Sequence, residues 1–330
     1  MTISLFAIII IVMALLFDFL NGFHDAANSI ATIVVTRTLS PAQAVVMAGA
    51  ANFVGYFVFG VAIANMVGKG IIDSQAVTLT ILFPALIGAV LWNILTWLLG
   101  LPTSSSHALI GGLVGSGFAA AGAKVILFKG LFKVFLFIFL APAFGMAGAI
   151  VVTMLVILIA RNMNRRKTNR RFKKLQLVAA VFSSIGHGTN DAQKTMGIIA
   201  LTLLASGVNK EFHIDTWVAL ACQSAIALGT IFGGWRIVKT MGTNITKIGP
   251  MEGFCSSVSA AVVMIGTAHF GIPVSTTHVI AGSIMGVGTV ERAHCVRWVT
   301  ARRIVWAWFL TIPFTALVSA VCYGVISLFH

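Results

Sequence analysis

Acidic side chains are scarce in this chain: Asp and Glu number 8 in 330 residues, against 22 Lys and Arg. Charged residues of both signs make up 9% of the sequence and hydrophobic ones 58%, whereas ordinary soluble domains are about a quarter charged. A water-soluble fold is thereby excluded. In a soluble protein the surplus of +14 would suggest a nucleic-acid partner, but the placement of the charge argues against one. Arg161, Arg165, Arg166, Lys167, Arg170, Arg171, Lys173 and Lys174 crowd into one short segment with no acid among them. Such a cluster beside apolar spans marks a cytoplasmic loop facing anionic lipid. Cysteine is also sparse. Cys222, Cys255, Cys295 and Cys322 are scattered without metal-type spacing, so they read as small hydrophobes, and neither disulfides nor a structural metal is expected. The opening apolar stretch from Thr2 to Phe17 lacks a basic flank and a small-residue cleavage site, and runs directly into Asp18 and Asn21. It reads as a retained first membrane helix rather than a signal peptide.

What is present is a series of uncharged runs. A membrane span takes roughly 20 residues, so most runs are single helices, but Ser74 to Ala123 and Gly253 to Val290 are too long for one crossing. In each, the surplus begins at a Pro followed by hydroxyl residues and a Gly-rich helix. That is the pattern of a re-entrant hairpin, since broken backbone within a membrane survives only where protein or water satisfies it.

The sequence repeats itself. Asn21-Gly-Phe-His-Asp-Ala-Ala-Asn28 aligns with His187-Gly-Thr-Asn-Asp-Ala-Gln-Lys194 at an offset of 166. Gly100-Leu-Pro-Thr-Ser-Ser-Ser-His107 aligns with Gly271-Ile-Pro-Val-Ser-Thr-Thr-His278 at an offset of 171, which Pro142 and Pro313 also keep. The division that follows is a first membrane repeat at 1–160, a basic linker at 161–174 and a second repeat at 175–330. Equivalent loops carry opposite charge bias. Arg37 stands alone where the second half balances Lys210 with Glu211 and Asp215, while Lys69 is offset by Asp73 where Arg236, Lys239 and Lys247 stand unopposed. The positive-inside rule then predicts inverted repeats. One pair resists this bias, because Lys124, Lys129 and Lys133 correspond to a loop with Arg292, Arg297, Arg302 and Arg303. The expected architecture is an all-α polytopic membrane protein of two homologous halves, each with a broken polar helix and a re-entrant hairpin.

Polar chemistry is concentrated in the repeated motifs. Asp18, Asn21, Asp25 and Asn28 are spaced three, four and three apart, which places them on one helix face. Ser184, His187, Asp191 and Lys194 reproduce that face, with Asn190 and Gln193 beside it. Carboxylates in a membrane are costly and usually line a transport path; the plainer alternative is a paired structural carboxylate, which weighs most for Asp18 and Glu252. Gly22 and Gly188 suggest backbone that is broken or closely approached. In the hairpins, Ser104, Ser105, Ser106, Ser275, Thr276 and Thr277 begin helices after a Pro. A helix N-terminus with added hydroxyl donors suits a small tetrahedral oxyanion, although one hydroxyl per helix would suffice as an ordinary cap. His107 and His278 either shuttle protons or orient the hairpins.

The stretches ending at Asn28, Lys194, His107 and His278 resemble the paired signatures of the inorganic phosphate transporter (PiT) family, with the compact central segment of its bacterial members. The resemblance implies a cation-coupled symporter enclosing phosphate near the midplane. In it Asp25, Asn28, Asn190 and Asp191 hold cation and substrate and the hairpin hydroxyls hold phosphate. His24 stands where Asn is common in that family, and Lys194 where its sodium-coupled members place Asn, which weakens the expectation of sodium coordination. The expectation is therefore a cell-membrane, multi-pass phosphate symporter working by alternating access. Phosphate falls to the six hydroxyls with Gln193 and Lys194, and coupling to Asp25, Asn28, Asn190, Asp191, Asp18 and Asn21. His24 and His187 are candidate proton relays, no cofactor is implied, and the coupling ion is H+ with Na+ as the alternative. Sulfate transport on the same fold, phosphate carried as a metal complex and a homodimer stay open. An intramembrane hydrolase is the remote competitor, disfavoured because the polar elements are duplicated rather than gathered into one Ser, base and orienter.

Overall fold

The computed structural model describes residues 3–291 and 295–329; Arg292 of the resisting loop pair lies outside them. The chain is helical almost throughout, in the order α1 (Leu5–Val35), α2 (Pro41–Val54), α3 (Tyr56–Phe59), α4 (Ala62–Gly70), α5 (Leu79–Leu99), α6 (Ser105–Ala121), α7 (Phe128–Ala160), α8 (Arg165–Ala205), α9 (Thr216–Phe232), α10 (Trp235–Lys239), α11 (Pro250–His269), α12 (Thr276–Glu291) and α13 (Trp298–Ser327). Helices satisfy their own backbone, the condition for crossing lipid. Among the described residues six stretches, α1, α5, α6 with the 3-10 turn that carries it to Val125, α7, α11 and α13, are long and apolar enough to do so. The apolar run of α8 is interrupted by Ser183, Ser184, His187, Asn190, Asp191 and Lys194.

Two expectations are corrected. The motif helices are not broken: α1 and α8 run continuously through Asp25 and Asp191. The breaks fall instead in the helices packed against them, at Gly60 (φ +65°) between α3 and α4 and at Gly233 (φ +65°), where α9 and α10 bend by 64°. Gly22 and Gly188 serve close approach. A Cβ at Gly22 would lie 2.2 Å from the carbonyl oxygen of Ile226, and one at Gly188 2.4 Å from that of Asn52. The basic segment, expected as a loop, is helical from Arg165 onward. Lys and Arg are good helix formers, and neither Gly nor Pro intervenes before Gly186. Lys173 Nζ from this stretch donates to the carbonyl of Arg37 (3.0 Å), and Gln176 Oε1 accepts from the hydroxyls of Thr36 and Thr38, both at 2.9 Å, which fastens α8 to the end of α1.

Both hairpins form. α5 turns through Gly100 (φ +64°) into α6, and α11 through Gly271 (φ +63°) into α12. The halves exchange their packing partners: α6 seats on α13, α12 on α7, α9 on α1 and α2 on α8. Small residues permit the close approach. A Cβ at Gly115 would sit 2.0 Å from the carbonyl oxygen of Ala316, and one at its equivalent, Gly286, 2.5 Å from that of Met146. Overpacking a fitted contact costs about 1–3 kcal/mol and sometimes more. Gly115→Val is therefore expected to lower the melting temperature of the detergent-purified protein sharply, whereas Gly266→Ala, where nothing lies within 4 Å of the added carbon, leaves it unchanged. Equal melting of the two variants would show that α6 and α13 do not meet as described.

Candidate functional site

The continuous faces of α1 and α8 converge with the two hairpin tips. Asp18, Asn21, Asp25 and Asn28 are buried, as are Ser184, His187, Asp191 and Lys194; Lys194 is only 1% exposed. Its ammonium donates to Asp191 Oδ1 (2.5 Å), to the carbonyl of Val274 (2.9 Å) and to Ser106 Oγ. One side chain on α8 thus ties its own motif carboxylate to the tips of both hairpins. An ammonium has three donors, and all three are used.

Thr276 continues the web. Its hydroxyl donates to Asp191 Oδ2 (3.0 Å) and accepts from Asn28 Nδ2 (3.2 Å), which also donates to Thr277 (3.0 Å). His187 Nε2 lies 3.1 Å from Asp191 Oδ2. Its Nδ1 faces Asn52 Oδ1 at 3.3 Å. On the other side, His24 Nδ1 lies 2.7 Å from Asp25 Oδ1, and its Nε2 faces Thr96 Oγ1 at 3.1 Å. Asp25, His187 and Asp191 each present a ligand atom within 4.8 Å of the others, a spacing that a metal ion could occupy.

The tip hydroxyls divide by role. Ser104 and Ser275 are N-caps, accepting from the N–H groups of His107 (3.1 Å) and His278 (3.2 Å). Ser106, Thr276 and Thr277 bond to the motif helices. Ser105 Oγ is buried without a hydrogen-bond partner among the described residues, as are both carboxylate oxygens of Asp18 and the Oδ1 atoms of Asn21, Asn28 and Asn190. In addition, the first-turn N–H groups of α6 and α12 that the caps leave free have no acceptor within their own helix. The site is therefore rich in uncommitted donors at the tips and uncommitted oxygens on α1.

Some sequence candidates are held elsewhere. The Gln193 carbonyl accepts from the N–H groups of Ile63 (2.8 Å) and Ala64 (3.3 Å), which caps α4 just after the break. The Asn190 amide donates to the carbonyls of Gly186 and Met264, both at 2.9 Å, joining α8 to α11. Glu252 lies in the first turn of α11, where the helix dipole favours an acid. His107 and His278 pack edge to face at 4.8 Å directly behind the tips, and His278 stacks on Trp308 at 3.8 Å, an arrangement that orients the hairpins. Four further contributors appear: Thr96 and Asn52, outside the repeated motifs, and Thr103, which donates to Thr96 (3.0 Å), and the backbone carbonyl of Val274, at equivalent positions within the repeated hairpin sequence. Asn52 carried a signal as an amide within an apolar helix, and Thr103 as a hydroxyl inside the repeated motif.

Spanning helices around a buried polar site define an integral membrane protein, and kinship with proteins named as transporters makes it a transporter and not an enzyme, so the hydrolase alternative falls. A model of the phosphate transporter family matches residues 21–319, and the chain belongs to that family. A protein of Rhizobium meliloti named a probable low-affinity inorganic phosphate transporter is 50% identical over 315 residues, 95% of this chain and 94% of its own. One of the same name from Bacillus subtilis is 41% identical over 97% of each chain. A solved structure named the sodium-dependent phosphate transporter superposes with a TM-score of 0.91 over 98% of this chain and all of its own, at 24% identity, and so shares the fold.

Breaking a buried ion pair by removing one partner costs about 3–5 kcal/mol, because the other charge is left uncompensated. Lys194→Met and Asp191→Asn should each lower thermal stability strongly, and the double variant should lose clearly less than the sum. Strict additivity in that cycle would mean that the two groups do not interact.

Proposed function

We propose that this chain is a symporter of inorganic phosphate in the cell membrane, driven by protons, working by alternating access between two inverted halves with the basic start of α8 on the cytoplasmic side. The observation that carries the coupling assignment is the Lys194 ammonium, held by Asp191 and both hairpin tips. A fixed cation there neutralises the carboxylate that a bound sodium would need. Phosphate is supported by the names of the relatives and by the donor-rich tips, where Ser105, the first-turn N–H groups and Lys194 suit an oxyanion. In this reading Asp25 takes up the coupling proton, and Asp191 does so when Lys194 turns from it to the phosphate, with His24 and His187 beside them as relays and Asp18, Asn21, Asn28 and Asn190 supplying the polar path. Were phosphate carried with a divalent metal, Asp25, His187 and Asp191 would meet that metal. Sodium coupling is the second reading, favoured by the name of the structural neighbour and by the uncommitted oxygens on α1. Reciprocal packing of equivalent helices supports two related halves, and the opposite loop charges support their inversion.

Reconstituted protein should take up labelled phosphate in preference to sulfate, continue when sodium is replaced by choline, and stop when a protonophore collapses the pH gradient. Asp25→Asn and Asp191→Asn should each abolish concentrative uptake. Strict sodium dependence with indifference to the protonophore would transfer the assignment to the second reading, and normal uptake by either variant would remove that carboxylate from the coupling path.

The hydroxyls should separate by experiment as they do in space. A hydrogen bond to a charged group is worth about 1.5–3 kcal/mol, so Ser105→Ala should weaken phosphate binding about tenfold or more with little change in melting temperature. Ser104→Ala and Ser275→Ala, each losing a cap worth about 1 kcal/mol, should instead melt earlier. Titration calorimetry and thermal unfolding measure the two effects, and unchanged affinity of Ser105→Ala would exclude that hydroxyl from the phosphate site.

A further inference from the structure

Asn28 and Lys194 occupy equivalent positions, each three residues beyond its motif carboxylate and each reaching the hairpin of the other half. Asn28 bonds Thr277, and Lys194 bonds the equivalent of Thr277, Ser106. The two positions differ at their centres. Asn28 commits its amide to the hairpin hydroxyls and leaves Oδ1 buried without a partner among the described residues. Around Lys194 the geometry is inverted: a carboxylate oxygen, a backbone carbonyl oxygen and a hydroxyl oxygen surround one positive charge. Those are the ligand types that hard cations take. They come from three separate elements, α8, the tip of the first hairpin and the tip of the second, as they would around an ion that assembles a site.

We infer that the Lys194 ammonium is a tethered substitute for a coupling cation, filling an oxygen cage that takes sodium once the side chain is shortened to Asn. The inference rests on the proton-driven reading above and adds that the oxygens around Lys194 themselves form a sodium site once its charge is withdrawn. Lys194→Asn removes the tethered charge, leaves Asp191, Ser106 and the Val274 carbonyl in place, and contributes a fourth oxygen. Asn28 shows that Asn at this position bonds the hairpin through nitrogen and keeps its oxygen free. Lys194→Gln offers the same oxygen on a longer stem, and Lys194→Met removes the charge without supplying one.

The test compares thermal unfolding of wild type and the three variants in sodium chloride and in choline chloride at equal ionic strength and pH. Sodium should raise the melting temperature of Lys194→Asn, or of Lys194→Gln, in a saturable manner, since a ligand bound only by the folded state stabilises it in proportion to its occupancy. It should leave wild type and Lys194→Met unmoved, and Asp191→Asn added to Lys194→Asn should remove the response. Binding of labelled sodium to native membrane vesicles containing each variant gives the same comparison without purification. Sodium binding by Lys194→Asn and Lys194→Gln membranes no greater than by wild-type membranes would overturn the inference. Proteoliposome uptake by the wild type separates the two readings. If it requires sodium, the proton-driven assignment and this inference fall together, whereas a proton-driven wild type with sodium-blind variants overturns this inference alone.

Discussion

A positive charge enclosed by protein must be met by oxygens, and the Lys194 ammonium is met by three from three different elements. Leaving such a charge uncompensated costs several kcal/mol, so the positions of α8 and of both hairpin tips are tied to one nitrogen atom. Thr276 extends the constraint to the first half, because its hydroxyl bonds Asp191 on one side and Asn28 on the other. The two motif helices, which also pack on each other, are thus joined at their polar centres through a hairpin tip. Any ligand that withdraws Lys194 from Ser106 or from Val274 therefore loosens one tip while leaving the ammonium paired with Asp191.

Such a web forms only if backbones come close, which explains the composition of the surrounding helices. Gly22 and Gly188 admit the helices that carry Ile226 and Asn52, and Gly111, Gly115, Gly282 and Gly286 admit the final helix of the opposite half. In lipid there is little hydrophobic force between helices, so small residues and polar contacts must hold them. The exchange of partners makes each half the wall of the other half's site.

The repeat, the helical class, the hairpins and the convergence of the two polar faces were legible in the sequence, because each rests on residue spacing within one helix or on matched offsets. The roles of Gln193 and Asn190 were not. Both stand beside Asp191 in the motif, yet their amides serve Ile63, Ala64 and Met264, partners more than seventy residues away that no local pattern reveals. The division of the tip hydroxyls into caps and ligands was also hidden, since three adjacent hydroxyls look alike until the helix start is known to the residue. The breaks were assigned to the wrong helices for a related reason. Glycine within a motif signals either broken or closely approached backbone, and the choice between them depends on what packs there.

The exchanged packing also bears on biosynthesis. Gly111 on α6 seats against Ile312 and Thr315 on α13, about 200 residues later in the chain. At synthesis rates of roughly 5–20 residues per second, the first hairpin waits on the order of ten to forty seconds for the helix that covers it. Over that interval its glycine face and its hydroxyl-bearing tip lie against whatever the membrane offers. The first half is thus inserted early but completed late, by a helix synthesised about 200 residues after the hairpin it covers.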